Sequence, residues 1–231
     1  MLAIHRLLLA ASTGLAFNSS VGGWAVITIE NPPEYLEAGT SYRLEYTVRQ
    51  HGVTLLGGLQ GTVVIQPAGS GATESTTFPA TAGDSKGRYV ATLRVPETDQ
   101  MALTVQSGFS GSGFGDLRII PIPVVRRGAT GPSFTPQAWG HRLFVAKGCG
   151  RCHINGDVPE FAQWNRVLSD IGPELTGRRL EAAYVRQRLT NPSSLPKIGD
   201  APVRMPDLGL APGEVNALVA LLSEPQQRAS E

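Results

Sequence analysis

From residue 26 to about residue 125 the chain alternates apolar and polar positions with period two. Tyr42, Leu44, Tyr46 and Val48 interleave with Arg43, Glu45, Thr47 and Arg49, the pattern of a strand with one buried face. The same alternation runs through Tyr89, Ala91, Leu93 and Val95, and again through Met101, Leu103 and Val105. Further β-rich runs lie at Val26–Glu30, Thr62–Gln66 and Leu117–Ile122. Turn clusters separate them at Glu37-Ala38-Gly39, Gly57-Gly58, Ala68 to Ala72 and Gly83-Asp84. Short strands at this spacing predict an all-β antiparallel sandwich.

After Val125 the period changes. A polar segment containing Gly and Pro, 126–135, reads as a linker. Thr135 then has the chemistry of a helix N-cap, with Pro136 at the first helical position and Trp139, Leu143 and Ala146 following at helical spacing. A second helix is predicted over Leu180–Leu189, ended by Asn191-Pro192. A third runs over Pro212–Ser223, where Val215, Leu218, Val219 and Leu222 share one face. The predicted organisation is therefore two domains, a β sandwich at 26–125 followed by an all-α domain at 136–225. A signal at 1–25 precedes them and a tail at 226–231 follows.

Composition adds little to this picture and excludes one class. The 27 glycines and 17 prolines suit many short strands joined by turns, and a formal net charge of +1 argues against a nucleic-acid protein. The N-terminus carries more information. Arg6 precedes an apolar or small run from Leu7 to Phe17, and Gly23-Trp24-Ala25 offers a cleavage site before Val26. Export follows, to the periplasm or the outer face of the cytoplasmic membrane. Because no charge falls between Leu7 and Ile29, an uncleaved membrane anchor is the alternative. The weak hydrophobicity of Asn18, Ser19 and Ser20 favours cleavage.

The chemistry concentrates in one pentapeptide. The chain has two cysteines, and they stand in Cys149-Gly150-Arg151-Cys152-His153. Two thiols at this spacing suit the two vinyl groups of one haem, and the adjacent imidazole suits an axial position on its iron. A zinc site would need two more ligands, and no second cysteine pair exists. A thioredoxin-like dithiol needs a βαβ setting, and a disulfide across so short a loop contributes little. Elsewhere, Gly111-Ser-Gly113-Phe-Gly115 is followed by a strand-like run rather than a helix, so it reads as a turn and not a nucleotide loop.

From about Gln137 to Leu222 the sequence resembles the class I cytochrome c family. The residues that carry the resemblance are Gly140-His141-Arg142-Leu143-Phe144 with Lys147-Gly148-Cys149, Gly172-Pro173-Glu174-Leu175, Arg204-Met205-Pro206, and the closing helix from Glu214. The resemblance implies one haem c held through two thioethers to Cys149 and Cys152, with His153 as proximal ligand. It implies that the Pro173 carbonyl orients His153 and that Met205 is the distal ligand. Elimination also favours Met205: Met1 lies in the signal and Met101 in a strand, although a methionine as core filler is the plain alternative. His141 is the alternative ligand, while His5 goes with the signal and His51 with a turn. Trp164, Arg178 and Arg179 are candidates for the haem carboxylates, and Tyr184 for packing on the ring. The stretch from Gly61 to Val105 loosely resembles small periplasmic immunoglobulin-like domains.

The function expected from this reading is one-electron transfer, as a carrier or as a subunit of a respiratory complex, with the β domain docking it to redox partner proteins. Membrane association would come through the N-terminus or a partner. The alternative is a haem-based catalyst or sensor whose sixth ligand leaves. A ligand- or metal-binding role for the β domain has no residue cluster behind it.

Overall fold

A computed structural model describes residues 23–68, 74–109, 116–158, 171–199 and 203–223. Ten strands occupy the first half: β1 (Ala25–Ile29), β2 (Leu36–Glu37), β3 (Ser41–Gln50), β4 (Thr54–Leu55), β5 (Thr62–Ala68), β6 (Thr76–Pro79), β7 (Thr81–Ala82), β8 (Arg88–Arg94), β9 (Gln100–Gln106) and β10 (Asp116–Val125). One sheet has the order β1-β3-β8-β7, with β4 also paired to β3. The other has the order β2-β10-β9-β5-β6. All pairings are antiparallel except that of β2 with β10. The register of β10 on β9 shifts between Ile119 and Ile122, the stretch that contains Pro121 and cannot donate to a regular ladder.

The period-two residues face inward as expected. Leu44, Tyr46, Val48, Val63, Ile65, Tyr89, Leu93, Met101, Leu103 and Val105 are all buried. Tyr46 and Tyr89 stack at 5.5 Å between ring centres, and the Tyr89 hydroxyl donates to the Leu56 carbonyl at 2.8 Å. Polar partners of this kind let a tyrosine stay inside a core.

Three helices follow: α1 (Pro136–Ala146), α2 (Ala182–Thr190) and α3 (Pro212–Ser223). Thr135 caps α1, its hydroxyl accepting from the Ala138 amide at 3.2 Å. Glu181 caps α2, accepting from the amides of Ala183 and Tyr184 at 2.9 and 2.7 Å. Helices α1 and α3 cross at Gly140, where an added Cβ would strike the Ala217 carbonyl oxygen and lie 2.9 Å from Leu221 Cβ. Among the described residues no helix is long and apolar enough to cross a membrane. Residues 1–22 of the export signal, the tail, Trp164 and the Gly111–Gly115 turn lie outside the described residues, whereas Ala25, the last residue of the expected signal, opens β1 and is buried.

Two expectations are corrected here. The described residues are predominantly β, with ten strands against three α-helices, and those helices do not form a separate all-α domain. The resemblance to class I cytochromes c falls with it. The physical reason is that the helices pack on strands. One continuous hydrophobic core holds Ile27 and Ile29 of β1 and Leu117 and Ile122 of β10 together with Leu143, Phe144, Leu218 and Leu221 of the helices. Polar ties cross the same seam. Thr28 donates its hydroxyl to the Lys147 carbonyl at 3.4 Å, Lys147 Nζ donates to the Glu30 carbonyl at 3.2 Å, and Arg142 donates to the Pro121 carbonyl at 2.7 Å. Hydrophobic period shows that a helix has an apolar face, and says nothing of whether a helix or a strand covers it.

The Gly140 crossing gives a direct test. Gly140→Val should cost about 2–3 kcal/mol through forced separation of α1 and α3. Urea unfolding should show this as a lowered midpoint with an unchanged slope.

Candidate functional site

Helix α1 ends at Lys147 because Gly148 takes a left-handed conformation (φ 73°) and the chain turns. Gly148 also lies so close to β1 that an added Cβ would strike the Ile27 carbonyl oxygen. A single 3-10 turn over Cys149–Arg151 follows, with the amides of Cys152 and His153 both bonded to the Cys149 carbonyl at 3.1 and 3.0 Å. This winding draws Cys149, Cys152 and His153 onto one wall.

The loop over 171–177 is sewn to that wall. The Leu175 amide bonds the Ile154 carbonyl at 2.7 Å, the Gly156 amide bonds Thr176 Oγ1 at 2.9 Å, and the Gly177 amide bonds Asp157 Oδ2 at 2.7 Å. Pro173 is thereby placed with its carbonyl oxygen 3.0 Å from His153 Nδ1. The carbonyl can only accept, so Nδ1 carries the proton and Nε2 is left as the basic nitrogen. Gly172 sits against the ring itself, where an added Cβ would come within 2.8 Å of His153 Cε1.

These residues line a cavity of about 310 Å³. Cys149, Cys152, His153, Pro173 and Met205 all stand on its wall, together with apolar side chains that include Phe144, Leu175, Leu189 and Leu218. Among the described residues the wall also carries Arg178, Arg188, Lys197 and Arg204, plus Lys147, and no carboxylate. Lys147 is neutralised by Glu214 at 2.7 Å. Arg188 and Arg204 donate to the carbonyls of Pro196 and Leu195 at 3.1 and 3.0 Å, bracing the loop opposite the cysteines. Tyr184 lines the cavity beneath Arg188, whose guanidinium carbon stands 5.4 Å from the centre of its ring. His141, Arg179 and His51 are not on the wall, and His51 occupies the turn after β3 with φ 51°.

Two contributions were missed in the sequence. Val26 of β1 closes part of the cavity, and Arg151 is tied to β10 through its Nη2, which donates to the Asp116 carbonyl. Arg151 is only 7% exposed. Nothing in the pentapeptide distinguishes a solvated arginine from one buried under a sheet more than thirty residues upstream.

Burial governs the electrostatics of the wall. It pushes the Cys149 thiol up to about 12 and the Cys152 thiol up to about 11, and a nearby thiol adds to the first. Both are free thiols. Reactive dithiols work through lowered values, so this pair is poorly suited to thiol–disulfide exchange. Burial lowers His153, only partly opposed by the bond to Pro173, so the imidazole is neutral and able to ligate. Among the described residues no group of three or more His, Cys, Asp or Glu converges as a metal centre. That finding stands against the class I family resemblance, although the His153 imidazole and the Met205 thioether both stand on the wall.

No family model matches the chain, and no curated protein matches it. Among solved structures the chain is similar to the ZirS C-terminal domain, at 10% identity over 54% of this chain and 87% of that one, with a TM-score of 0.32. It is similar to a superoxide reductase (neelaredoxin) from Ignicoccus hospitalis, at 15% identity over 43% of this chain and 80% of that one, with a TM-score of 0.28. A CARDB domain from Pyrococcus furiosus is similar at 13% identity over 45% of this chain and 94% of that one, with a TM-score of 0.27. Likenesses this faint carry no argument about this chain.

Two measurements test the wall in the chain prepared without any cofactor. Alkylation of the thiols at pH 8 should be at least about tenfold slower in the folded chain than in urea, because both values are raised by burial. The lowered value of His153 gives the second. Above pH 6.5 both states are neutral and nothing changes. Below it the unfolded chain takes up a proton that the folded chain resists, so stability falls as pH drops through 6.5. The urea midpoint should therefore drop more between pH 8 and pH 5.5 in the parent chain than in His153→Gln.

Proposed function

We propose that this chain is an exported one-electron carrier, or the electron-transfer subunit of a redox complex, holding one covalent haem c in the cavity. The observation that carries the reading is the convergence of Cys149, Cys152, His153 and Met205 on the wall of one apolar cavity, with His153 Nδ1 already engaged by Pro173. The residues fit the group on three counts. The thiols are spaced to form two thioethers. The donor set, an imidazole and a thioether, is that of low-spin haem proteins. The cations Arg178, Arg188, Lys197 and Arg204, with no carboxylate beside them among the described residues of the wall, suit a flat apolar ligand bearing two carboxylates.

When bound, the haem supplies an iron that alternates between Fe(III) and Fe(II). The protein's part is positional and electrostatic. Pro173 holds the imidazole in one tautomer and keeps Nε2 basic. Gly172 leaves room for the ring. Met205 and the apolar wall disfavour the additional charge of the ferric state, which favours the reduced one. Redox partner proteins are the implied partners, on the outer side of the cytoplasmic membrane.

The test is an optical spectrum of the chain matured with a c-haem assembly system. The expected result is a low-spin spectrum with haem that resists acid–acetone extraction, and a sixth ligand lost in Met205→Ala. Gly172→Val should displace the His153 ring and weaken the proximal bond. A high-spin parent spectrum with ready carbon monoxide binding would instead favour a catalytic or sensory haem. Failure to retain haem would sink both readings.

A further inference from the structure

Of the two residues between the cysteines, one is a buried cation. Arg151 is 7% exposed, and its Nη2 donates to the Asp116 carbonyl at the start of β10. No carboxylate lies within ion-pair distance of it among the described contacts, although the Asp116 side chain is close enough to interact electrostatically. Isolated guanidinium groups are expensive to bury. An exposed position is available to an arginine on almost any surface turn, so this one is held inward by the sheet.

A second tie acts on the other side of the same turn. Gly148 abuts the Ile27 carbonyl of β1, and Lys147 donates to the Glu30 carbonyl. The turn that presents both thiols and the imidazole is thus gripped from β1 at its start and from β10 at its centre. Of the two ties, that of Arg151 puts a permanent positive charge inside the turn itself, because a guanidinium does not lose its proton in proteins.

We propose that Arg151 is a positioning residue through which the second sheet holds the Cys149–His153 turn, and that its buried charge raises the reduction potential of the group bound there. The potential part rests on the covalent-haem reading; the positioning part does not. A buried cation stabilises the reduced state, which carries one less positive charge at the iron. The Asp116 carboxylate acts in the opposite sense, while its backbone carbonyl supplies the tether.

Asp116→Asn separates these effects, because it keeps the tethering carbonyl and removes the negative charge. In the matured protein Arg151→Gln should lower the Fe(II)/Fe(III) ratio at a fixed applied potential by roughly two- to tenfold, and Asp116→Asn should raise it. Arg151→Lys, which keeps the charge, should stay near the parent value. In the chain without cofactor, Arg151→Gln should speed alkylation of the two thiols severalfold, and Asp116→Asn should leave it unchanged. Shifts of the same sign in both charge variants, or none, overturn the electrostatic role. Unchanged alkylation in Arg151→Gln overturns the positioning role. Should Arg151→Gln fail to fold, Asp116→Asn still decides the sign of the potential. A parent chain that takes up no haem overturns the covalent-haem reading and the potential role together, and the alkylation rates still decide positioning.

Discussion

Two buried cations set the terms for the C-terminal half. Lys147 is 2% exposed and Arg151 is 7% exposed, and they flank the first cysteine on either side. A buried charge must be met by acceptors of fixed position, since its desolvation is only offset if the partners cannot drift. The acceptors are the Glu214 carboxylate of α3, the Glu30 carbonyl at the end of β1 and the Asp116 carbonyl at the start of β10. Satisfying these two side chains therefore fixes the first helix, the last helix and both sheets relative to one another. The cavity is the space this arrangement leaves.

Close backbone approach supports the same seam. Gly140 brings α1 onto α3 with no side chain between them, and Gly148 brings the end of α1 onto β1. Apolar burial then fills in around these contacts, and a single core runs from the sandwich interior through to Leu218 and Leu221. The loop over 171–177 adds two buried apolar side chains, Ile171 and Leu175. Its further contribution is a set of short hydrogen bonds, through backbone and side chain, that aim one carbonyl at one imidazole nitrogen.

How much of this was legible in the sequence differs by scale. The long strands and the three helices were written in their periods. Val26–Glu30, Thr62–Gln66 and Pro212–Ser223 nearly coincide with β1, β5 and α3. The short strands β2, β4, β6 and β7 were not legible, because two to four residues are too few to carry a period, and in β4, β6 and β7 the threonines are exposed. Of the wall residues, Cys149, Cys152 and His153 were legible from chemistry and spacing, Met205 by elimination among three methionines, and Pro173 only through the family resemblance. The partition into a sandwich and a free-standing helical domain was misread. An apolar helix face looks the same whether it meets another helix or a strand, and Val26 and Arg151 show their roles only through contacts distant in sequence.

The strand against which Gly148 rests is the first among the described residues. Thr28 precedes the Lys147 carbonyl it binds by 119 residues, so the contact closes a long loop and forms late relative to local structure. A chain made and delivered from its N-terminus has its sheets available before the thiols arrive. The sandwich then serves as a mould on which the cysteine turn sets. A fragment beginning at the linker would lack that mould, leaving a glycine backbone and the Arg151 guanidinium bare on the side where it should be.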